Sequence, residues 1–272
     1  MRSRSHFQRW QRLGCFLRVS FLSLSLLARA GSGRTLSENA RLGTEDWLVK
    51  KPATPGWPRS DSDRTPEIQG YAGATSVNTG EEIQFFVDVR NPAADPEFRI
   101  EVFRLGWYGG KGGRRMSWPS VEREKEEVVL PSNKQRVPVP DPLTGMIDCD
   151  WSESWRLRVP ESSVSGVYIA KLTTLPSGLE SSVIFVVRED LRSSDFLFQC
   201  SVTTWQAYNP WGGRSLYNYP RNASVVSFNR PYAAPSFPFS HTNSSIQRPE
   251  LAFAAGTGEF FVQIGARTEP AW

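Results

Sequence analysis

The sequence predicts a mainly β protein: an immunoglobulin-like β-sandwich followed by the start of an α/β domain. Three observations carry this. Between residues 67 and 188 apolar and polar residues alternate in a series of short runs. Turn residues punctuate those runs at close intervals. After a hydrophilic joint, Phe196-Leu-Phe198 is apolar without alternation, the habit of a strand buried on both faces in a parallel sheet.

Taken in chain order, residues 1–30 read as a targeting segment. A basic start leads into Cys15-Phe-Leu-Arg-Val-Ser-Phe-Leu-Ser-Leu-Ser-Leu-Leu27 and then Ala28-Arg29-Ala30, the plan of a secretory signal peptide. That implies a secreted or periplasmic protein. An organelle transit peptide is the rival reading, since the first acid is Glu38. The apolar run is too short to span a bilayer, and no other segment is a transmembrane candidate. Residues 31–66 read as a Pro-rich extended linker, with Pro52, Pro55, Pro58 and Pro66 in it and Trp47 and Trp57 available to dock it.

Residues 67–188 are the sandwich. Ile83, Phe85, Val87 and Val89 alternate, as do Phe98, Ile100 and Val102, then Trp155, Leu157 and Val159, then Val183, Phe185 and Val187. Such alternation gives one buried and one wet face, as in antiparallel sheets. Asn78-Thr-Gly80, Asn91-Pro92, Gly109-Gly110, Ser165-Gly166 and Pro176-Ser-Gly178 supply the turns. About seven short strands so spaced suit an immunoglobulin-like fold. Residues 195–272 then begin a second domain, with Phe196–Val202 as its first strand.

The net charge of +4 belongs to the leader. Residues 1–30 hold six Arg and no acid, and removing those six from the 32 basic residues leaves 26 against 28 acidic. The body therefore gives no reason to expect a nucleic-acid partner. Cys149 and Cys200 lie in different predicted domains and are expected as buried free thiols, although an oxidising compartment would permit pairing. Asn222-Ala-Ser and Asn243-Ser-Ser match the glycosylation acceptor pattern.

There is no phosphate loop, dinucleotide fingerprint, zinc pattern or nucleophile elbow, and the body has one histidine, His241. Two aromatic, glycine-rich segments remain. In Leu105-Gly-Trp-Tyr-Gly-Gly-Lys-Gly-Gly113 a ligand could lie flat against Trp107 or Tyr108, as in carbohydrate recognition. The plainer reading is a strand end turning through glycines with Trp107 covering the core. Ser201-Val-Thr-Thr-Trp-Gln-Ala-Tyr-Asn-Pro-Trp-Gly-Gly-Arg-Ser-Leu-Tyr217 looks like the rim of a site. Trp205 and Trp211 would be walls, and Tyr208, Asn209, Tyr217 and Tyr219 polar donors. Tyrosinate oxygen can ligate a hard ferric ion, which would lower the phenol's pKa from its usual value of about 10. The plainer reading makes these core or interface tyrosines with bonded hydroxyls.

Five segments, Ile68-Gln-Gly-Tyr-Ala-Gly-Ala-Thr-Ser-Val77, Phe98-Arg-Ile-Glu-Val-Phe-Arg-Leu-Gly-Trp-Tyr-Gly-Gly110, Val183-Ile-Phe-Val-Val-Arg-Glu-Asp190, Thr204-Trp-Gln-Ala-Tyr-Asn-Pro-Trp-Gly-Gly-Arg-Ser-Leu-Tyr217 and Val226-Ser-Phe-Asn-Arg-Pro-Tyr232, resemble in their order the C-terminal region of the N,N-dimethylformamidase large (beta) subunit family. The resemblance implies an immunoglobulin-like sandwich followed by an α/β domain like that of class I glutamine amidotransferases. It also implies an amidohydrolase with one iron held by two Tyr and one Glu. Tyr208 matches the first Tyr; Tyr217 is the candidate for the second, with Tyr232 behind it.

The family's Glu lies in a His-x-Glu-Tyr-Trp-like motif that this sequence lacks, and Glu259 does not replace it. After Phe261 the chain departs from the family pattern. The α/β domain is therefore expected to be incomplete and loosely ordered alone, while 67–188 folds independently. On that view this chain would bind no iron and lack amidase activity by itself, or be a non-functional truncated product. A different reading makes the sandwich a secreted binding module for a glycan or protein, with Trp107 and Tyr108 on its rim.

Overall fold

The computed structural model describes residues 33–54, 66–119, 124–125, 127–194, 196–217 and 222–233. Among them the protein is mainly β with two short helices. Helix α1 is Gly33–Asn39. The strands are β1 (Ile68–Ala72), β2 (Ser76–Asn78), β3 (Glu82–Val89), β4 (Glu97–Leu105), β5 (Gly113–Arg115), β6 (Trp118–Pro119), β7 (Glu124–Lys125), β8 (Glu127–Pro131), β9 (Trp155–Arg158), β10 (Gly166–Leu175) and β11 (Glu180–Arg188), and helix α2 is Val202–Tyr208. The leader, Trp57, Tyr219, His241, Asn243 and Glu259 lie outside the described residues.

Two sheets share one core. The first has strand order β1-β3-β9 and is antiparallel. The second runs β2-β11-β10-β4-β5, with β8 also paired to β4, and is antiparallel except where β2 joins β11. The predicted alternation is realised in β3, where Ile83, Phe85, Val87 and Val89 are all at most 2% exposed. They meet Phe98, Ile100 and Val102 of β4, Tyr168, Ala170 and Leu172 of β10 and Val183, Phe185 and Val187 of β11. The rings of Phe85 and Phe185 pack edge to face at 5.4 Å across the sheets. Gly70 in β1 is a close approach: a Cβ there would sit 2.8 Å from the Phe86 carbonyl and 3.3 Å from Val183.

The expectation of one wet face fails for β4 and β10. Their outward residues Phe103, Leu105, Val167 and Ile169 form a second cluster with Trp47. The cover comes from residues 33–54, so the predicted extended linker is corrected: it holds helix α1 and a docked strap. Thr44 bridges to Gly113 and Pro52 to Glu180, carrying the strap across the sheet. Lys171, buried on that outer face, donates to the Asp46 and Leu48 carbonyls at 2.9 Å each and pairs with Glu180 at 2.9 Å. Trp47 docks, as its position in the sequence suggested.

The expected first α/β strand at Phe196–Val202 is also corrected. Residues 196–201 have no assigned secondary structure and pair with no strand, and Val202 already begins α2. Phe198 and Cys200 pack on the outer cluster while Phe196 and Leu197 are 89% and 90% exposed. The sheet's outer face gives cover only from Phe198 onward, so Phe198 and Cys200 pack and Phe196 and Leu197 stay in water.

Candidate functional site

The two aromatic, glycine-rich segments have different fates. In the first, β4 ends at Leu105 and the chain turns through Tyr108–Gly110 into β5. Tyr108 is 2% exposed. Its hydroxyl donates to Glu38 of α1 at 2.8 Å and accepts from Arg104 at 3.0 Å. Arg114 of β5 donates to the same Glu38 carboxylate at 2.7 Å. Burial pushes the Tyr108 phenol up. Burial also acts to raise Glu38, but hydrogen bonds from Arg114 and Tyr108 and the charges of Arg114 and Arg104 outweigh it and hold the carboxyl below its usual range.

The glycines that could have seated a ligand seat the chain's own indole. A Cβ on Gly113 would meet Trp47 at 2.5 Å, and one on Gly112, whose φ is +80°, at 2.9 Å. Trp47 Nε1 donates to the Lys111 carbonyl at 3.0 Å. Trp107 is half-buried beside this turn.

In the second segment α2 presents Trp205 and Gln206 inward. It stops at Asn209, which is held extended because Pro210 follows. Asn209 is fully buried and its side chain is a clamp. Nδ2 donates to Gln206 Oε1 at 2.8 Å and to the Pro231 carbonyl at 2.9 Å, and Oδ1 accepts from the Trp211 and Ala233 amides at 3.2 and 3.0 Å. Trp211 is the anchor. Its ring is fully buried among Tyr71, Ile147, Cys149 and Trp151, and Nε1 donates to Gln69 of β1 at 2.8 Å. Asn209 and Trp211, predicted as donor and wall, thus have their polar groups committed inside the protein, as does Tyr108.

Tyr208 and Tyr217 come together beside the end of α2. The Leu216 amide donates to the Ala207 carbonyl at 3.0 Å, folding the chain back on the end of α2. The two rings stack with centroids 4.3 Å apart and planes 20° from parallel. Both are open to solvent, at 46% and 62%. Tyr232 stands apart, half-buried beside Trp205, with its phenol pushed up by burial. Cys149 and Cys200 are both free thiols; burial pushes Cys149 up, and Cys200 up to about 11.

Sequence reading missed two groups. One is the Glu38 cluster, whose members lie up to 76 residues apart. The other is Arg230, 1% exposed, whose guanidinium donates to the carbonyls of Gln206, Asn209, Trp211 and Arg214. Its one signal was a lone cation in an aromatic, Pro-containing run, Phe228 to Tyr232. Trp205 and Arg230 help line a shallow cleft where α2 and residues 228–232 meet β1 and β11.

Among the described residues no group of three or more His, Cys, Asp or Glu could hold a metal ion. Nor is any described helix long and apolar enough to cross a membrane.

Compared with known proteins, the family model described as N,N-dimethylformamidase beta subunit-like, C-terminal, matches residues 99–259, more than half of the 272. None of the curated proteins matches. Among solved structures, the PmoD soluble domain from Methylocystis sp. ATCC 49242 (Rockwell) is similar over 47% of this chain and 84% of its own, at 16% identity. Its TM-score of 0.22 is too low to carry an argument.

Proposed function

The chain belongs to the N,N-dimethylformamidase beta subunit-like, C-terminal family, and from that premise we propose that it serves metal-dependent hydrolysis of small amides, with Tyr208 and Tyr217 supplying phenolate ligands to iron. The observation that supports this is the solvent-open stack of those two rings at 4.3 Å, on the segment that carries the family resemblance. Phenolate is a hard oxygen donor suited to ferric iron, and solvent access lets both a metal ion and an amide approach. Bound iron would supply Lewis acidity toward an amide carbonyl. The fit is partial. Two phenols do not complete a three-ligand set, and among the described residues no group of three or more His, Cys, Asp or Glu could hold a metal ion. No catalytic step is therefore assigned to any residue.

On the same reading the two-sheet body is an immunoglobulin-like sandwich and residues 195–272 belong to an α/β amidotransferase-like domain. The basic, then apolar leader supports export as a secreted or periplasmic protein.

The test is ferric titration of the purified chain. On this reading, and against the expectation from the sequence that this chain alone binds no iron, a visible tyrosinate-to-iron charge-transfer band saturating near one equivalent is expected, and Tyr208→Phe and Tyr217→Phe should each weaken or shift it. No band, or a band indifferent to both substitutions, removes these phenols from the proposal. Release of dimethylamine from dimethylformamide by the iron-loaded chain then tests the reaction class.

A further inference from the structure

Tyr208 and Tyr217 are set apart from the other described tyrosines. Tyr71 and Tyr168 are buried and donate to the Cys149 and Val164 carbonyls at 3.1 and 2.6 Å, and Tyr108 is buried against Glu38. Tyr232 is half-buried. Among the described tyrosines only Tyr208 and Tyr217 are exposed, and no hydrogen bond to a described residue holds either hydroxyl.

Their placement is fixed all the same. The Leu216 amide on the Ala207 carbonyl brings the chain back beside α2. Between the two tyrosines Trp211 is fully buried, and the Arg230 guanidinium gathers the carbonyls of Gln206, Asn209, Trp211 and Arg214. The backbone that carries the rings is thus held from inside the protein, while the rings, stacked at 4.3 Å, are open to solvent.

Two exposed phenols held in contact are arranged to be oxidised as a pair. A phenol that loses one electron and one proton becomes a radical whose unpaired electron spreads to the ring carbons ortho to the oxygen. With a second such radical against it, coupling becomes intramolecular, the condition under which effective concentrations are large. Exposure serves two needs: an oxidant reaches the rings, and they have room to open from the stack about one edge as a bond forms.

We propose that Tyr208 and Tyr217 are a site of oxidative cross-linking, joined by a carbon–carbon bond between ring positions ortho to their hydroxyls. The oxidant is hydrogen peroxide acting through a haem peroxidase. Each phenol gives up one electron and one proton, the two radicals couple, and the ortho hydrogens shift to the oxygens to restore both aromatic rings. One peroxide is reduced to two waters for each link. Both phenol oxygens survive, and the end of α2 is then tied covalently to the returning chain. The inference shares the ring stack with the iron reading but needs neither a metal nor a third ligand, so it stands or falls separately from the ferric titration.

The test treats the full chain, dilute and with a chelator present, with a haem peroxidase and hydrogen peroxide. Blue dityrosine fluorescence in the monomer and a mass lower by two hydrogens are expected. Trypsin cuts after Arg214, between the two tyrosines, so the link should appear as a peptide ending at Arg214 joined to one beginning at Ser215. Tyr208→Phe and Tyr217→Phe each remove an exposed hydroxyl without a described partner, so both variants should fold and both should lose the joined peptide. Tyr219→Phe should keep it. A free peptide of residues 201–217 lacks the buried scaffold and should link roughly tenfold less efficiently at equal concentration. No link, fluorescence from dimers only, a joined peptide coupled through Tyr219, a yield unchanged by either substitution, or a free peptide that couples as well as the chain overturns the proposal.

Discussion

The loops at residues 105–113 and 201–217 are alike in composition and opposite in outcome. Both set tryptophan and tyrosine beside paired glycines at the end of an ordered element. In the first, the chain supplies the partners itself: Glu38 and Arg104 meet the Tyr108 hydroxyl, Arg114 meets the Glu38 carboxylate, and Trp47 lies on Gly112 and Gly113. In the second, the inward groups are satisfied while the Tyr208–Tyr217 stack faces water and Arg230 keeps an idle Nε. Aromatic and glycine density in a loop thus reports a need for partners. Whether they come from inside or outside the chain depends on what packs there.

The largest test of this contrast removes the anchor of the second loop. Trp211→Ala empties a fully buried site and leaves Gln69 Oε1 without its indole donor. A loss of about 3–5 kcal/mol is expected in denaturant unfolding. A loss below about 1 kcal/mol, the range of unremarkable substitutions, would mean that the loop is not fastened through its core.

Next comes the closure of the first loop. Glu38→Ala strands Arg114 and the Tyr108 hydroxyl without their shared carboxylate and should cost about 3 kcal/mol by the same measurement. A double-mutant cycle with Arg114→Ala should recover part of that as coupling.

The pH dependence follows in size. Glu38, Glu67 and Glu180 are each acted on by burial, which raises them. Hydrogen bonds, led by those from Arg114, Thr54 and Lys171 respectively, together with nearby positive charges outweigh it and leave all three depressed. A depressed folded-state carboxyl contributes stability above its unfolded pKa, about 4.3 for Glu, and that contribution fades as pH falls through the lower folded value. The unfolding midpoint should therefore fall below about pH 4.3, and Glu38→Gln should flatten part of that decline. A midpoint rising toward acid would contradict the buried-carboxylate picture of the first loop.

The smallest effect on stability is expected where the functional effect should be greatest. Tyr208→Phe and Tyr217→Phe remove exposed hydroxyls and should change stability by no more than about 0.5 kcal/mol, while altering the iron band. A large stability loss would make the stack a structural element like the Tyr108 cluster.

The strands of the two sheets could be read from the sequence where they carry their own signal, as in Ile83, Phe85 and Val87 with turn residues on either side. The two-sided burial of β4 and β10 could not, since Phe103 and Ile169 owe it to Trp47, which belongs to a segment that composition made look like a linker. Phe196-Leu-Phe198 misled for a related reason: an apolar run does not say whether one face or two will find cover. The pairing of Tyr208 with Tyr217 came from the family resemblance and not from any pattern in the eight residues between them. Arg230 was not legible, because backbone carbonyls accept its hydrogen bonds and carbonyls leave no mark in a sequence.

The Trp211–Gln69 contact spans 142 residues. Closing so long a loop from the unfolded chain carries a larger entropy penalty than a short tether. Once β11 lies in its sheet, however, the free tether runs only from Arg188. The penalty for seating Trp211 then drops by about 1.6 kcal/mol, from loop length alone. The order of assembly is therefore built into the connectivity: the sheets form the jig, and the tyrosine-bearing loop is set on it last.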